Sequence, residues 1–369
     1  MILVITSERI TGLGYHRQVI PFKNLASDFT IEFQTSEEGL TDEYLKGFKC
    51  ISLLREGKYI DRYKKLGLIV HFDIDDYWVL PSGHNEAKKY KENNHEKKTE
   101  ECLKKVDFVT TTTRILAEKI KKFNKNVYVL PNAIDTKDEQ WHYNHFKASH
   151  DRMRFGYIAG AHHVQDVEMI HPEILKLYRD ATIKDKWQLL TAGFNWIKMT
   201  ENDIRPNAYY KWVEQTFTNN YSFLKDAYTH ALNTKIPLEF KDMNEPYQRL
   251  NGLDVFNYGR LYDSIDVALA PLIKTTFNSC KSQLKMIEAG FKRKACIVSD
   301  VLPYSLDATE ENCLTAQPNE WRDKIKYLVN NPNKVFDLQE GLYEYVNKHY
   351  HIDVVNVERK QIFEQWLCK

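Results

Sequence analysis

Strand-like and helix-like segments alternate along almost the whole chain, and this alternation is the strongest constraint on its fold. Short apolar runs such as Met1–Ile5 and Cys50–Leu54 are followed by longer amphipathic stretches. This order is typical of α/β proteins, in which helical crossovers join parallel strands. With 369 residues, the chain is long enough for two domains of ordinary size. Further strands are predicted at Thr30–Gln34, Leu68–Phe72, Phe108–Thr112, Val127–Leu130, Trp187–Gly193, Val267–Leu272 and Ala295–Asp300.

Composition excludes several classes of protein. The 52 Lys and Arg residues nearly balance the 51 Asp and Glu residues, so no global field favours a polyanionic partner. No apolar run is long enough to span a bilayer, and the N-terminus begins with a strand in place of a signal peptide. The six cysteines form no CxxC pair, which is typical of reduced, buried thiols. We therefore expect a cytoplasmic protein.

The stretch Asn278–Gly290 carries the clearest functional pattern. An apolar strand precedes it and another follows it, so it occupies the loop and helix of a βαβ unit. On a continuous helix, Lys281, Lys285 and Glu288 would share one stripe. Free backbone amides at Cys280–Ser282 and two lysines suit a pyrophosphate, and a carboxylate one turn further suits a ribose. The pattern predicts a nucleotide-diphosphate site, and the alternative is a solvated amphipathic helix.

An acidic cluster follows the apolar strand at Leu68–Phe72 and is the second candidate site. Asp73, Asp75 and Asp76 come at the carboxyl end of this strand, where open α/β sheets bind ligands. Three roles stay open from the residues alone: a divalent metal site, an acceptor-orienting or deprotonating group, or a helix cap. His84 follows as a polar contact candidate.

Residues 86–125 form a basic segment. Twelve Lys and Arg residues stand against seven acids there, in a chain whose net charge is +1. Such a run is usually a solvated helix face, and the alternative is a surface for an anionic acceptor.

The Asn278–Gly290 stretch resembles the donor-site helix of the retaining glycosyltransferases of GT-B fold, of the family 4 type. It is most similar to a divergent branch that reads N-x-C-K-S-x-x-K-x-x-E-A-G. The usual family pattern has two glutamates separated by seven residues. Glu288 matches the second, whereas Cys280 stands at the position of the first.

Other segments resemble the same branch. Gly12, Gly14, Tyr15 and Arg17 match a G-x-G-Y-x-R opening after the first strand, and Phe72–Asp76 resembles Y-D-x-D-D. Val127–Asp135 is similar to the V-x-V-x-P-N-x-x-D that ends the first domain of these enzymes, before a polar hinge at Thr136–Arg152. The second domain opens with a segment similar to G-Y-x-x-G-x-x-H-x-x-D, which is matched at Gly160, His163 and Asp166. In this chain the loop lacks the Arg and Lys that commoner members of the family have there.

The resemblance implies two Rossmann-like domains facing across a cleft. The first would comprise residues 1–148 and the second residues 149–345, with a helical insert near 195–232. Residues 346–369 would form a helix that crosses back to the first domain. The implied enzyme transfers a sugar from a nucleoside-diphosphate sugar, with UDP favoured, to an acceptor hydroxyl with retention and without an obligatory metal or cofactor.

The implied roles fall on named residues of each domain. Donor-binding residues are Lys281, Ser282 and Lys285 on the phosphates, Glu288 on the ribose, and Gly160, His163 and Asp166 in the opening loop. Catalytic candidates are Arg17, Asp73, Asp75 and Asp76, and cleft residues are Gly12, Gly14, Tyr15 and His84. The default acceptor is a cytoplasmic glycan or protein.

Three alternatives remain at this stage. One is a glycosyltransferase acting on a modified base in phage DNA, with the basic 86–125 segment on the phosphates. Another is a catalytically silent module that binds a nucleotide sugar or glycan, which the absence of the first glutamate favours. A sugar–nucleotide epimerase of similar fold is the third.

Overall fold

The computed structural model describes residues 1–6, 11–84, 86–143, 152–159, 163–193, 197–200, 203–206, 247–250 and 252–368. The chain divides into two compact units. The first comprises Met1–Lys137, Lys274–Ile287 and Val346–Lys369, and the second comprises Asp138–Ile273 and Glu288–Tyr345. The sequence assigned 274–287 to the second domain, whereas in the structure this stretch groups with the first unit.

The first unit is built on a six-stranded sheet of parallel strands. Its strands are β1 (Ile2–Ile5), β2 (Ile31–Gln34), β3 (Cys50–Leu54), β4 (Ile69–Ile74), β5 (Phe108–Thr111) and β6 (Val127–Val129). They lie in the order β2-β1-β3-β4-β5-β6, and every neighbouring pair is parallel. The inner strands β1, β3, β4 and β5 are almost entirely buried because helices cover both faces of such a sheet.

The second unit contains a second six-stranded parallel sheet. Its strands are β7 (Met153–Ile158), β8 (Trp187–Ala192), β11 (Tyr247–Arg249), β12 (Val267–Ala270), β13 (Ala295–Ser299) and β14 (Leu314–Ala316). Their order is β11-β8-β7-β12-β13-β14, with all neighbouring pairs parallel. Counted from β7, this is the order 3-2-1-4-5-6 of a dinucleotide-binding Rossmann sheet. The predicted α/β class with two Rossmann-like domains is confirmed.

Helices connect the strands of both sheets. In chain order they are α1 (Gly12–Gly14), α2 (Ile20–Lys23), α3 (Asp42–Leu45), α4 (Ile60–Lys65), α5 (Ala87–Glu92), α6 (His95–Lys105), α7 (Arg114–Ile120), α8 (Val164–Arg179), α9 (Thr276–Ser279), α10 (Leu284–Phe291), α11 (Trp321–Asn330), α12 (Pro332–Tyr350) and α13 (Ile352–Leu367). A π-helical turn at Tyr15–Val19 joins α1 to α2, and 3₁₀ turns lie at Glu139–Trp141, Tyr258–Ser264 and Tyr304–Leu306. Among the described residues, none of these helices is long and apolar enough to cross a bilayer.

The predicted helical insert near 195–232 is wrong over its described part. Two antiparallel strands, β9 (Ile197–Thr200) and β10 (Asp203–Pro206), pair there, with Thr200 opposite Asp203. Apolar and polar residues alternate in Ile197–Thr200, which is a strand pattern. The rest of the insert lies outside the described residues, as do positions 144–151, which include the predicted boundary at 148.

Candidate functional site

The order of the second sheet predicts where a ligand binds. Strand order reverses between β7 and β12, and ligands of open α/β sheets lie outside the carboxyl ends of the strands at such a reversal. Asp166 links the two segments that follow these strands, because its Oδ1 accepts a hydrogen bond of 2.7 Å from the amide of Ile273. The side chain of Asp166 is almost fully buried. This carboxylate therefore holds the start of α8 beside the segment that follows β12.

His163 lies at the N-terminus of the 16-residue helix α8. Its Nδ1 lies 2.7 Å from Asp166 Oδ2, and with a carboxylate as partner Nδ1 is the donating nitrogen. This bond fixes the imidazole at a helix end that attracts anions through its amides and its dipole. The structure thus brings His163 and Asp166 together. Gly160, which the sequence placed with them, lies outside the described residues.

Glu288 is a buried carboxylate in α10, with 4% of its surface exposed. The hydroxyl of Tyr262 donates a 2.8 Å hydrogen bond to Glu288 Oε2. Burial and then the charge of Glu288 raise the pKa of Tyr262 well above its ordinary value, so the phenol stays protonated and donates. Sequence reasoning used the segment around Tyr262 only as a fold marker, and it missed this partner because the two residues are 26 positions apart.

Lys281 and Ser282 are not on the helix that the sequence predicted for them. Helix α10 begins at Leu284, and the amides of Cys280 and Lys281 already donate to carbonyls of the preceding turn. The expectation of free amides at both residues is therefore wrong. The Lys281 ammonium lies 4.8 Å from the centroid of the Phe277 ring, a cation–π distance. Lys285 lies in α10, three residues before Glu288.

Ser282 takes part in a hydrogen-bonded chain within the first unit. Asn132 Nδ2 donates to Ser282 Oγ at 2.8 Å, and Asn132 Oδ1 accepts from Arg17 Nη1 at 3.2 Å. Gln283 donates to the hydroxyl of Tyr350 at 2.5 Å. These contacts hold the segment before α10 against the first unit, which explains why 274–287 groups with it.

Cys280 cannot act in the way that the glutamate of the family pattern acts. Its side chain is fully buried in the hydrophobic core of the first unit. Burial raises the pKa of the Cys280 thiol to about 11, so the group is uncharged at neutral pH. The hydroxyl of Thr113 donates to the Cys280 carbonyl at 3.1 Å. This position is a packing site.

Arg17 and Asp73, which the sequence analysis gave as catalytic candidates, form a buried ion pair. Arg17 donates to both Asp73 oxygens, at 2.8 and 2.7 Å, and to the Leu130 carbonyl at 2.8 Å. The two residues are 1% and 3% exposed. Burial alone would raise the pKa of Asp73, but the charge and hydrogen bonds of Arg17 outweigh this effect and lower it. Strand β4 extends to Ile74, two residues beyond its predicted end, so Asp73 is an interior strand residue.

Asp75 and Asp76 share one partner that the sequence analysis missed. Arg55 Nε donates to Asp75 Oδ1 at 2.7 Å, and Arg55 Nη2 donates to Asp76 Oδ2 at 2.6 Å. Arg55 has a φ of 59°, a left-handed conformation that is uncommon for a residue with a side chain and is frequent at functional sites. Burial and the Asp76 charge raise the pKa of Asp75 despite Arg55. In the sequence, Arg55 directly follows the apolar run Cys50–Leu54, and a charged residue at this strand end was a signal that could have identified the partner.

The remaining predicted residues separate into buried and accessible groups. Tyr15, which was predicted as a cleft residue, is 1% exposed and packs in the core. Gly12 is exposed and Gly14 is buried, and Thr11 caps their short helix by accepting from the Gly14 amide. His84 is half-buried, and its ring centroid lies 5.6 Å from that of Phe277. The structure thus brings His84 to the segment that carries Lys281.

Among the residues that the structure describes, no group of three His, Cys, Asp or Glu side chains is arranged to hold a metal ion. No protein-family model matches the sequence, and no curated protein matches it significantly.

The fold is similar to that of solved glycosyltransferases. Sucrose-phosphate synthase from Thermosynechococcus elongatus has a TM-score of 0.62 at 11% identity, over 100% of this chain and 99% of that one. A glycosyltransferase from Rickettsia africae has a TM-score of 0.60 at 12% identity, over 99% and 98% of the two chains. HepE from Anabaena, solved with UDP, has a TM-score of 0.61 at 8% identity, over 99% of each chain. These similarities show that the chain has the GT-B fold.

Proposed function

We propose that the chain is a glycosyltransferase that moves a sugar from a nucleoside-diphosphate sugar, UDP-sugar favoured, to an acceptor hydroxyl with retention. The observation that carries this proposal is the N-terminus of α8, whose amides and dipole attract anions. There Asp166 orients His163, at the point where the strand order of a Rossmann sheet reverses. The HepE structures contain UDP, UDP with glucose, and UDP-glucose, which supports the donor class.

This geometry supports the following roles for the donor residues. Glu288 accepts the two ribose hydroxyls, and Tyr262 holds the carboxylate in place for them. His163 and the amides of α8 bind the diphosphate. Lys285 and Lys281 supply positive charge, with Lys285 on the same helix as Glu288. Asp166 acts through His163 and is a positioning residue.

The transfer replaces one bond of the anomeric carbon by another. The bond from this carbon to the diphosphate oxygen breaks, a bond to the acceptor oxygen forms, and the acceptor proton leaves with a base. Stabilisation of the departing diphosphate by the cationic groups is the main catalytic contribution that the site supports. Asp75, whose pKa is raised, and its neighbour Asp76 are the carboxylates proposed for orienting the acceptor. Arg17 and Asp73 are no longer proposed for catalysis, because they are buried and paired with each other.

A thermal-shift series with UDP, GDP, dTDP and CMP, followed by calorimetry on the best ligand, tests the donor assignment. We expect UDP to give the largest stabilisation, and we expect Tyr262→Phe to weaken its binding by about fivefold, since one hydrogen bond contributes about 1 kcal/mol. Tyr327→Ala, which changes an exposed tyrosine of the second unit, is the matched control. No stabilisation by any of the four nucleotides would contradict the proposal.

A catalytically silent nucleotide-sugar-binding module is the second candidate function. It is favoured by Cys280, which is buried and uncharged where the family pattern has a glutamate. Hydrolysis of the UDP-sugar in the absence of an acceptor separates the two candidates, because only the enzyme releases free sugar and UDP.

The acceptor is proposed to be a glycan or protein, with modified DNA as the alternative. Part of the charge that motivated the DNA alternative is compensated locally, since Lys88 lies 3.9 Å from Glu92 and Lys89 lies 3.8 Å from Glu86. Such exposed pairs are typical of a solvated helix face. The predicted cytoplasmic location stays a prediction.

A further inference from the structure

Tyr304 is a buried tyrosine of the second unit that none of the roles above uses. It lies in the 3₁₀ turn Tyr304–Leu306, which follows β13, and only 3% of its surface is exposed. Among the residues that the structure describes, none exchanges a hydrogen bond with its phenol. Buried tyrosine hydroxyls usually have such a partner, as Tyr262 has in Glu288. A buried donor without a partner destabilises the fold, and this is the feature of a group whose acceptor is supplied by a ligand.

The turn that carries Tyr304 lies at the strand ends where the donor site is built. Strands β7, β12 and β13 are neighbours in the sheet. The amide of Leu272 donates to Ser299 Oγ at 2.8 Å, and the next amide, that of Ile273, donates to Asp166 Oδ1 at 2.7 Å. The start of α8 and the segments that follow β12 and β13 are therefore tied together. Tyr304 comes shortly after Ser299, at the same edge of the sheet.

The phenol of Tyr304 lies in the electric field of the carboxylates of this site. Burial raises the pKa of Tyr304 well above its ordinary value, and the negative charges of Asp166 and Glu288 add to this effect. The phenol therefore stays protonated and is a hydrogen-bond donor at neutral pH. Both oxygens of Asp166 already accept, from the Ile273 amide and from His163. The phenol near them is thus left to donate to a ligand.

We propose that the Tyr304 hydroxyl donates a hydrogen bond to a phosphate oxygen of the bound nucleotide, a role that rests on the glycosyltransferase function proposed above. Phosphate oxygens only accept hydrogen bonds, whereas ribose hydroxyls also donate and have the Glu288 carboxylate as their acceptor. The phosphate is therefore the part of the nucleotide that needs a further donor. Tyr304 adds this donor to the amides of α8 and to His163, from the turn that follows β13.

Three variants that each lose one hydroxyl test the assignment in the full chain. They are Tyr304→Phe, Tyr262→Phe and, as the control, Tyr327→Phe, which changes an exposed tyrosine of the same unit. Uridine, UMP and UDP are titrated against each by calorimetry. We expect Tyr304→Phe to raise the Kd of UMP and UDP by about tenfold, which corresponds to about 1.4 kcal/mol, and that of uridine by less than about twofold. Tyr262→Phe should weaken all three ligands alike, because each contains the ribose, and Tyr327→Phe should weaken none.

The urea midpoint of unfolding, measured without nucleotide, separates a role in binding from a role in the fold. Tyr304→Phe loses a hydroxyl that has no partner among the described residues, so its midpoint should equal or exceed that of the unsubstituted chain. Tyr262→Phe loses the hydrogen bond to Glu288, so its midpoint should fall. A Tyr304→Phe chain that is destabilised and binds UDP normally would assign the hydroxyl to the fold and overturn the proposal.

Two further results would overturn the role of Tyr304 alone. One is a Kd for UDP that is the same in Tyr304→Phe and in Tyr327→Phe, and the other is a loss of uridine affinity as large as that of UDP, which would assign the hydroxyl to the nucleoside. In both cases the unsubstituted chain still binds UDP, and the proposed function stands. If the unsubstituted chain binds none of the three ligands, the donor assignment itself fails, and the role of Tyr304 fails with it.

Discussion

Asp73→Asn tests whether the Arg17–Asp73 pair is structural. The substitution removes the charge that compensates a guanidinium with four hydrogen bonds, two of them to Asp73. Breaking a buried ion pair from one side costs about 3–5 kcal/mol, since the remaining charge stays buried without its counterion. The unfolding free energy of a domain is only about 5–15 kcal/mol. We therefore expect a first unit that is folded but severely destabilised.

The assay is urea unfolding of the full chain. The shift in the unfolding midpoint is converted into a change in unfolding free energy through the slope of that free energy against urea concentration. At about 2 kcal/mol per molar urea, the midpoint of the first unit falls by about 2 M. Asp42→Asn is the matched control, because Asp42 also pairs with an arginine, Arg62, but on the surface, where such a pair contributes about 0–1 kcal/mol. Arg17→Met combined with Asp73→Leu should recover much of the loss, since an apolar pair replaces the ionic one.

The reasoning fails if Asp73→Asn is no less stable than Asp42→Asn yet abolishes sugar transfer. That result would return Asp73 to the catalytic residues that the sequence predicted. A loss of stability in which total activity falls only in proportion to the folded fraction supports the structural role.

Four further predictions concern the donor and the pH response. Glu288→Ala should weaken nucleotide binding by about 1–3 kcal/mol in calorimetry, because ribose hydroxyls lose a buried partner; unchanged affinity removes the ribose assignment. Changing Lys281 and Lys285 together to Gln should weaken nucleotide binding more than Glu288→Ala does, since diphosphate contacts are charge-assisted; normal turnover would contradict this. Activity should survive EDTA, and complete loss restored by Mn²⁺ would instead indicate a metal-dependent site. Burial lowers the pKa of His71 to about 3, below its unfolded value of about 6.5, so its neutral form stabilises the fold above pH 6.5. This stability is lost by about 1.4 kcal/mol per pH unit as the pH falls from about 6.5 towards 3, and His71→Gln should reduce the slope of unfolding free energy between pH 6 and 4.

The strands of both sheets were largely predictable because buried parallel strands are rich in apolar residues. Phe108–Thr112 was predicted and Phe108–Thr111 is observed, and Cys50–Leu54 agrees at both ends. Three strands of the sheets were not predicted, Met153–Ile158, Tyr247–Arg249 and Leu314–Ala316, and the last two have three residues each, which are too few for a periodicity. Such strands are stabilised by pairing with a neighbour, which a local pattern does not contain.

The candidate site was predictable only where local sequence decides the geometry. His163 and Asp166 are three residues apart at a helix start, so their contact follows from helical spacing. Lys281 was placed on a helix by the same argument, and this was wrong because a turn at Thr276–Ser279 captures the preceding amides. The helix therefore begins three residues later, at Leu284.

The sequence by itself determined the alternation of elements, the apolar strands and the acidic residues after β4, because these depend on neighbouring positions. Only the tertiary structure decided which of those acids are accessible. Asp73 meets Arg17 across 56 residues of chain, and Asp75 and Asp76 meet Arg55 instead. Asp73 lies inside β4, which ends at Ile74, whereas Asp75 and Asp76 follow the strand, so these carboxylates enter different environments once the order β2-β1-β3-β4-β5-β6 sets what surrounds β4. That order arises from packing over the whole unit, and no local pattern encodes it.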